Sequence, residues 1–493
     1  MPLPVRFLAR AVALALLTVT LQAGPYIDPG DLALRHDIQR LADAGIIRGP
    51  VTTWPLSWGP ILADLRSVNI TTLAPPIADA VVRVRERGNV EAQVEVLGFS
   101  AEVGFAEKPA RIRGYQDTPR GNADIGIGIE WLGDVISAEI NVQGVDDDRD
   151  DQDVRADGSM LGIVVGNWSV TANTLERWWG PGWDGSLILS NNARPIPSLT
   201  VDRVFTDSFR SKWLRWIGPW DFTMTFGQLE SERVVPDARF FGMRINFRPL
   251  DTLEIGLSRT AQWCGDGRPC GADTLFDLFI GRDNRGDQGV GLDDEPGNQL
   301  AGVDFRWSPG LFERAFAVYG QFIGEDEAGG FPSRYIGQFG GEWAGYLADR
   351  WSARVFAEFS GTTCQFHESS ERFNCAYNHF IYETGYRYRG RAIGHGADND
   401  ARLVSAGIVM VDAAGTQWRG LLRYGKLNRG GPPDPAHTLT PTAADLASVD
   451  VAYSRRLGFG TVDVGVGHET VDDVQSGTSR SDTRLYVSWR QLF

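Results

Sequence analysis

The sequence predicts a mainly β protein, an antiparallel barrel that crosses a membrane as strands, preceded by a small helical module. Three observations carry this. Side-chain polarity alternates with a period of two over most of the chain, the final residues form an apolar-faced strand ending on phenylalanine, and the composition suits strands and tight turns. Of 493 residues, 58 are Gly, 16 Trp, 25 Phe and 12 Tyr, whereas only 4 are Cys and 5 Met. Such a glycine-rich, aromatic-rich chain favours many short strands over packed helices. The formal charge of -15 repels nucleic acid; an acidic balance does not exclude a basic patch, but no Lys/Arg run resembles a nucleic-acid footprint.

The amino terminus gives the compartment. Arg6 and Arg10 precede an apolar stretch from Ala11 to Leu21, and Leu21-Gln22-Ala23 forms a small-residue cleavage site. The stretch is well short of the roughly 20 residues a spanning helix needs, so residues 1–23 read as a leader cleaved after Ala23. Beyond it no apolar run reaches spanning length. The mature chain is therefore either soluble or crosses a membrane as strands.

Residues 24–90 read as helical. Asp31 is placed as an N-cap, Leu34, Ile38 and Leu41 recur at helical spacing, and Gly45 ends the element. A second segment runs from about Leu56 to Val68, and PPIADAVVRVRERG begins on proline and stops at Gly88.

From residue 91 to 493 the period becomes two. FFGMRINF sets Phe241, Met243, Ile245 and Phe247 against Gly242, Arg244 and Asn246, and RVFAEF sets Val355, Ala357 and Phe359 against Arg354 and Glu358. QWRGLLRYG, TVDVGVG and AGVDFRW repeat the pattern, with Arg419, Arg423, Asp463, Asp304 and Arg306 on the polar faces. A soluble sandwich also alternates, but one face here repeatedly holds aromatics while the other carries charges, as in a transmembrane barrel. Roughly 18 to 20 strand candidates fit, and a bacterial single-chain barrel expects an even number. RLYVSWRQLF closes the chain with Leu485, Val487, Trp489 and Phe493 on one face, a terminal strand of the kind barrel-insertion machinery reads. Running that strand down to the periplasm places segments 389–402 and 426–447 outside but 364–375 inside, so one strand assignment is inconsistent.

Cys264 and Cys270 bracket GDGRP, and Cys364 and Cys375 bracket a polar stretch. Two loop-stapling disulfides in an oxidising compartment are expected; metal binding is the alternative, which six scattered histidines without HExxH do not support. No cofactor is implied. An enzyme is not expected either, since GxSxG, Walker and HExxH sequences are absent and no carboxylate pair stands out.

The densest motif is TLERWWGPGWDGSLILSNNAR, residues 174–194. Trp178, Trp179 and Trp183 either stack on sugar rings or pack as core in the lumen or against the helical module. In the first case Glu176, Arg177, Asp184, Asn191, Asn192 and Arg194 hydrogen-bond the ligand, and Trp183 with Asp184 project from the Gly-Pro-Gly bend. Trp178 and Trp179, adjacent on a strand, point to opposite faces, so at most one meets the lumen. A second candidate is GYRYRGR, which as a barrel strand aligns Arg387, Arg389 and Arg391 about 7 Å apart on one face. They either bind acidic sugars or pair with inward acids such as Glu358 or Asp304. The loop DDDRDDQD, residues 146–153, reads as solvated and extracellular, with Ca²⁺ binding as the alternative.

LRHDIQRLADAGIIRGPVTTWPLSW, LERWWGPGWDGSLILSNNARPIPSL and YNHFIYETGYRYRGRAIGHGADNDAR together resemble the capsule assembly protein Wzi family across nearly the whole mature chain. The resemblance implies an outer-membrane barrel of about eighteen strands, closed on the periplasmic side by the helical bundle. It further implies a lectin-like surface protein that anchors capsular or other extracellular polysaccharide in the outer membrane of a Gram-negative cell, as a monomer among lipid and lipopolysaccharide. The alternative function is a porin or diffusion channel with an N-terminal plug.

Overall fold

The computed structural model describes residues 26–271, 274, 297–309, 315–328, 331–347 and 351–493. The leader expected over residues 1–23 lies outside them. Among the described residues eighteen antiparallel strands close into a barrel, from Leu97–Ala106 to Ser479–Leu492. The last strand pairs with the first, Tyr486 opposite Ala106 and Leu492 opposite Ser100. A two-residue strand, Val154–Arg155, adds to the upper part of Ile136–Asp146.

Alternation decides which face each side chain takes. Arg244, Asn246, Arg354, Glu358, Asp304 and Arg306 are buried in the lumen, whereas Trp418, Leu422, Tyr424, Val464 and Val466 are exposed on the outer wall, the surface a bilayer covers. One end of the barrel has tight turns, such as those joining Leu132 to Ile136, Val165 to Trp168 and Leu457 to Gly460. The other carries long excursions between Asn173 and Ser198, Gly361 and Arg402, and Leu427 and Ala444. Short turns mark the periplasmic end and long loops the cell exterior. The chain enters and leaves the barrel at the short-turn end.

The helices form there. Asp31 caps the first, Leu32–Asp43, by accepting from the Ala33 and Leu34 amides at 3.0 Å each. The second is Trp58–Leu65, and the third, Pro75–Glu91, runs on past Gly88. A Cβ at Gly88 would stand 2.7 Å from the Leu62 Cδ2 and 3.0 Å from the Trp58 ring, so this glycine lets two helices approach and does not end one. Ile38, Leu41, Trp58, Val81 and Val84 form the core of the module.

That core continues into the barrel. The excursion 174–197 starts at the exterior end yet descends until Trp178–Trp179 pairs with Thr53–Trp54 of the helical module, as a two-residue antiparallel ribbon. Adjacency does send the two indoles to opposite faces, but both are enclosed because the ribbon stands inside the lumen and is not part of its wall. Trp178 joins the cluster shared with the helices, and Trp179 joins a second cluster with Leu187, Ile188, Phe240, Tyr377 and Tyr386 beneath the exterior loops.

GYRYRGR is not a barrel strand. Arg387–Tyr388 and Arg391–Ala392 are the arms of a tight hairpin, with Arg389 at φ 48° and Gly390 at φ 71° in its turn, inside the single excursion between Gly361 and Arg402. This removes the inconsistency in sidedness: residues 364–375 and 389–402 belong to one exterior connection.

Trp178→Ala should cost about 3–5 kcal/mol, the range for a large side chain removed from a core. The urea midpoint for loss of heat-modifiable gel migration is expected to fall accordingly, and an unchanged midpoint would contradict the packed-lumen description.

Candidate functional site

The Gly-Pro-Gly bend is held from all sides. A Cβ at Gly182 would meet the Gly185 carbonyl oxygen at 2.1 Å, so glycine is required for the chain to close on itself there. The resulting turn aims the backbone amides of Trp183, Asp184 and Gly185 at the wall carboxylate of Glu358, with the latter two at 3.1 and 3.3 Å. Tyr319 donates to the same carboxylate at 2.7 Å and Gln338 at 3.1 Å. From the helical side, Arg35 donates to the carbonyls of Pro181 and Gly182 at 3.0 and 2.7 Å. Its guanidinium lies 4.2 Å from the Tyr115 ring centre and 4.3 Å from that of Trp183, while Arg354 lies 4.7 Å from the Trp183 ring.

Trp183 is thus an anchor between two guanidiniums. Only 2% exposed, it donates from Nε1 to Glu342 and stacks on Phe356. It turns inward from the bend instead of projecting to the exterior. Asp184 accepts from Arg423 at 2.6 and 3.0 Å. These two residues share the wall of a hollow of about 860 Å³ with Tyr115, Arg419, Arg423 and Tyr486.

The remaining candidates have internal partners. Glu176 accepts from Arg120 at 2.6 Å and borders a second hollow of about 1190 Å³ with Glu102, Glu139 and Arg490. Arg177 donates to Asn173 and Thr200 of the wall. Asn191 and Asn192 donate to the carbonyls of Tyr115 and Ala392, both at 2.9 Å. Arg194 holds Asp157 through two bonds of 2.9 Å and Asp150 at 2.5 Å.

In the second motif Arg387 grips Asp398 at 2.8 and 3.0 Å, and Arg391 donates to the Arg111 and Ala110 carbonyls at 3.4 and 3.3 Å. Neither Glu358 nor Asp304 pairs with them; Asp304 binds Arg244 instead, at 2.5 and 2.9 Å. Burial alone would raise the Asp398 carboxyl, but Arg387 and His437 hold it well below the usual carboxylate range. Burial, with Arg149, Arg113 and Arg120 nearby, lowers Arg391 well below the usual arginine value. Arg389, in the hairpin turn, reaches Asp150 at 3.5 Å.

The loop 146–153 is only partly solvated. Asp147 and Asp150 face inward and pair with Arg155 at 3.2 and 3.5 Å, because exterior segments folding into the lumen bring arginines that need counter-charges. Burial opposes the charge on Asp150, yet the hydrogen bond and charge of Arg194 hold its pKa below the ordinary value. The two sequence motifs do meet: Ser190 donates its amide to Ile393 at 3.0 Å, and the Tyr377 hydroxyl caps the Leu187 carbonyl.

The outward-facing chemistry lies elsewhere. Both disulfides form, Cys264 with Cys270 and Cys364 with Cys375. The latter staples a segment that presents Phe373, 38% exposed, with the Arg429 guanidinium 5.5 Å from its ring centre. Arg429 is fixed by Glu371 at 2.9 and 3.1 Å, and Asn378 donates to Asp434 at 2.9 Å where two exterior loops join. Phe380 follows, 51% exposed and stacked on His379. The recurrence of Phe, Tyr and His among polar residues in FHESSERFNCAYNHF was the available signal for these exposed rings, obscured by the denser tryptophan motif.

The sequence model described as capsule assembly protein Wzi matches residues 95–483. A 55.8 kDa protein from the cps region of Klebsiella pneumoniae is 32% identical over 316 residues, 63% of this chain and 60% of that protein. The solved structure of Escherichia coli Wzi, described as an outer-membrane protein involved in group 1 capsule assembly and a carbohydrate-binding β-barrel, is 25% identical. It covers 94% of this chain and 99% of its own, with a TM-score of 0.81. Pseudomonas aeruginosa OprD matches 81% of the chain at 9% identity and a TM-score of 0.41, a likeness on which no functional reading rests. With a match that spans almost the whole barrel, this outer-membrane chain belongs to the capsule assembly protein Wzi family.

Proposed function

We propose that the protein is a lectin-like anchor that holds capsular or another extracellular polysaccharide on the cell surface. The observation that carries this is a lumen obstructed by inserted segments. Helices from below meet the excursions 107–122 and 174–197 from above at Trp54, Tyr115, Trp178 and Trp183, and the excursion 362–401 packs on 174–197 through Trp179, Tyr377 and Tyr386, so the exterior loops rest on the inserted core. Such a cap is a rigid platform, whereas a diffusion channel needs an open bore. The reading is one of binding, not catalysis.

The exposed rings of Phe373 and Phe380 supply the flat apolar faces that sugar rings engage, with Arg429 and Asn378 held beside them by Glu371 and Asp434. Trp183, Asp184, Glu176, Arg177, Asn191, Asn192, Arg194, Arg387 and Arg391 fix the shape of the platform beneath them, and Arg389 at the hairpin tip is the member of the second motif nearest the outside. A preference for acidic glycans through Arg387, Arg389 and Arg391 loses its basis, because their charges are engaged or shielded within the protein. One copy suffices for this arrangement, and the apolar outward face of Ser479–Leu492 serves the insertion machinery.

The test is retention of purified exterior polysaccharide by the detergent-solubilised protein. Replacing Phe373 and Phe380 together by Ala should weaken retention by about thirtyfold, roughly the 2 kcal/mol of an aromatic anchor, with heat-modifiability unchanged. Full retention by the folded double variant, or large conductance steps from the intact protein in planar bilayers, would refute the reading.

The platform also has a pH limit. The Asp398 carboxyl is depressed in the folded state, so its contribution is complete above the ordinary carboxylate pKa of about 4 and is lost as pH falls towards its folded value. Near-UV circular dichroism of the loop aromatics should therefore fall below about pH 4 while the far-UV strand signal persists. Asp398→Asn should show the reduced near-UV signal already at pH 7.

A further inference from the structure

One connection at the short-turn end is not short. Residues 204–219, VFTDSFRSKWLRWIGP, join the strands Ser198–Arg203 and Trp220–Gln228. The segment is fastened at its base, where Trp220 donates its amide to Thr206 at 3.0 Å and Arg248 donates its amide to Pro219 at 2.9 Å. Gly218, at φ 72°, is irreplaceable here, since a Cβ would lie 1.9 Å from the Arg248 carbonyl oxygen.

From this base the segment folds over the outer rim of the barrel. Trp220 and Phe247 are register partners on the outward face, because their strand neighbours Arg248 and Asn246 point into the lumen. Phe209 stacks on Trp220 at 4.6 Å with rings 8° apart, and Trp216 packs edge-on against Phe247. The segment therefore covers the wall that faces lipid. Trp213 is 87% exposed and Trp216 is 64% exposed, too much indole for water but ordinary for a membrane interface. Between them and around them stand Arg210, Lys212 and Arg215, and among the described residues no acid pairs with any of the three. Arg203, Asp207, Ser208, Phe209, Arg210 and Trp220 border an open hollow on the same rim, two cations against one acid.

We infer that residues 204–219 are an interfacial anchor that binds the anionic phosphate headgroups of glycerophospholipids in the periplasmic leaflet. The indoles lie at the boundary between acyl chains and headgroups, and the cations meet headgroup phosphate, with Arg210 at the mouth of the hollow. Charge complementarity selects the occupant: a chain of net charge -15 is repelled by an anionic leaflet except where cations are concentrated and unpaired, as here. The position at the short-turn rim assigns the leaflet, since the opposite leaflet meets the long loops.

The test uses full-length protein in detergent, with bound lipid read by native mass spectrometry after exchange against phosphatidylglycerol or phosphatidylcholine. The wild type should retain phosphatidylglycerol preferentially. Arg210→Gln, Lys212→Gln and Arg215→Gln combined should weaken that retention on the order of a hundredfold, from about 1 kcal/mol per cation at an anionic surface, with heat-modifiability intact. In vesicles, phosphatidylglycerol brominated on its acyl chains should quench a fluorescence component that disappears in the Trp213→Phe, Trp216→Phe variant. Equal retention of the two lipids, or undiminished retention by the folded triple variant, overturns the proposal. So does quenching of that component by aqueous acrylamide and not by brominated lipid, the outcome for a surface that faces a periplasmic protein.

Discussion

An eighteen-stranded barrel is too wide for its own inward side chains to fill, and left to itself it encloses water. Everything distinctive about this molecule follows from how that width is closed. The wall contributes long side chains with charged ends, and the chain returns into the lumen from both ends to meet them. Arg306 spans from the wall to Asp43 of the first helix at 2.6 and 2.9 Å while sharing Glu342, and Arg248 donates to the carbonyls of Ile47 and Gly49 at 2.9 and 3.1 Å. Conversely the wall carboxylate of Glu254 receives the amides of Val51 and Thr52 at 2.9 and 2.8 Å. Irregular backbone inside a membrane-spanning barrel is tolerated only where such groups satisfy it.

The arrangement separates two kinds of work. Apolar clusters supply burial, while ion pairs and charge-assisted hydrogen bonds fix where each inserted segment sits. A buried pair adds little net stability over an apolar substitute, but removing one partner strands a charge, so these pairs specify position more than they stabilise. Glu358 illustrates this. It gathers three consecutive amides, a tyrosine hydroxyl and a glutamine on one carboxylate, which permits one placement of the bend relative to the wall. Rigidity of the exterior face follows, and a platform of fixed shape loses less entropy when it binds a stiff polymer than a mobile loop would.

The wall was legible in the sequence because its physics is local. Alternation at Arg244 and Asn246, or at Arg419 and Arg423, states directly which face is inside, and the same strands form in the structure. The cap at Asp31 was legible for the same reason. What resisted were segments whose neighbours are distant in the chain. Tyr386 and Tyr388 alternate with arginines just as a wall strand would, but their environment is a hairpin folded on the excursion 174–197, and no period distinguishes a lumen hairpin from a wall strand. Gly88 looked like a terminator because a helix usually avoids glycine, and only the approach of Leu62 and Trp58 explains it. Residues 204–219 carry no period or motif of their own, and their aromatic and basic content becomes meaningful only once the rim of the barrel is located.

The tryptophan bend shows why a densely functional-looking motif can be structural and still serve function. Indole offers a large apolar face, a single donor and a surface that attracts cations, and at the centre of this barrel all three are needed together. Trp183 takes guanidiniums on its faces while its Nε1 satisfies Glu342, so one side chain seals a junction where helices, wall and exterior loop converge. A phenylalanine would leave the Glu342 lone pair exposed to an unfilled contact, and a leucine would lose the cation–π attraction as well. Trp178, whose Nε1 donates to Gly182 at 3.1 Å, locks the bend that presents Trp183. The same chemistry that lets an indole hold a sugar ring here holds the plug to the cap, so the helices and the bend share one core.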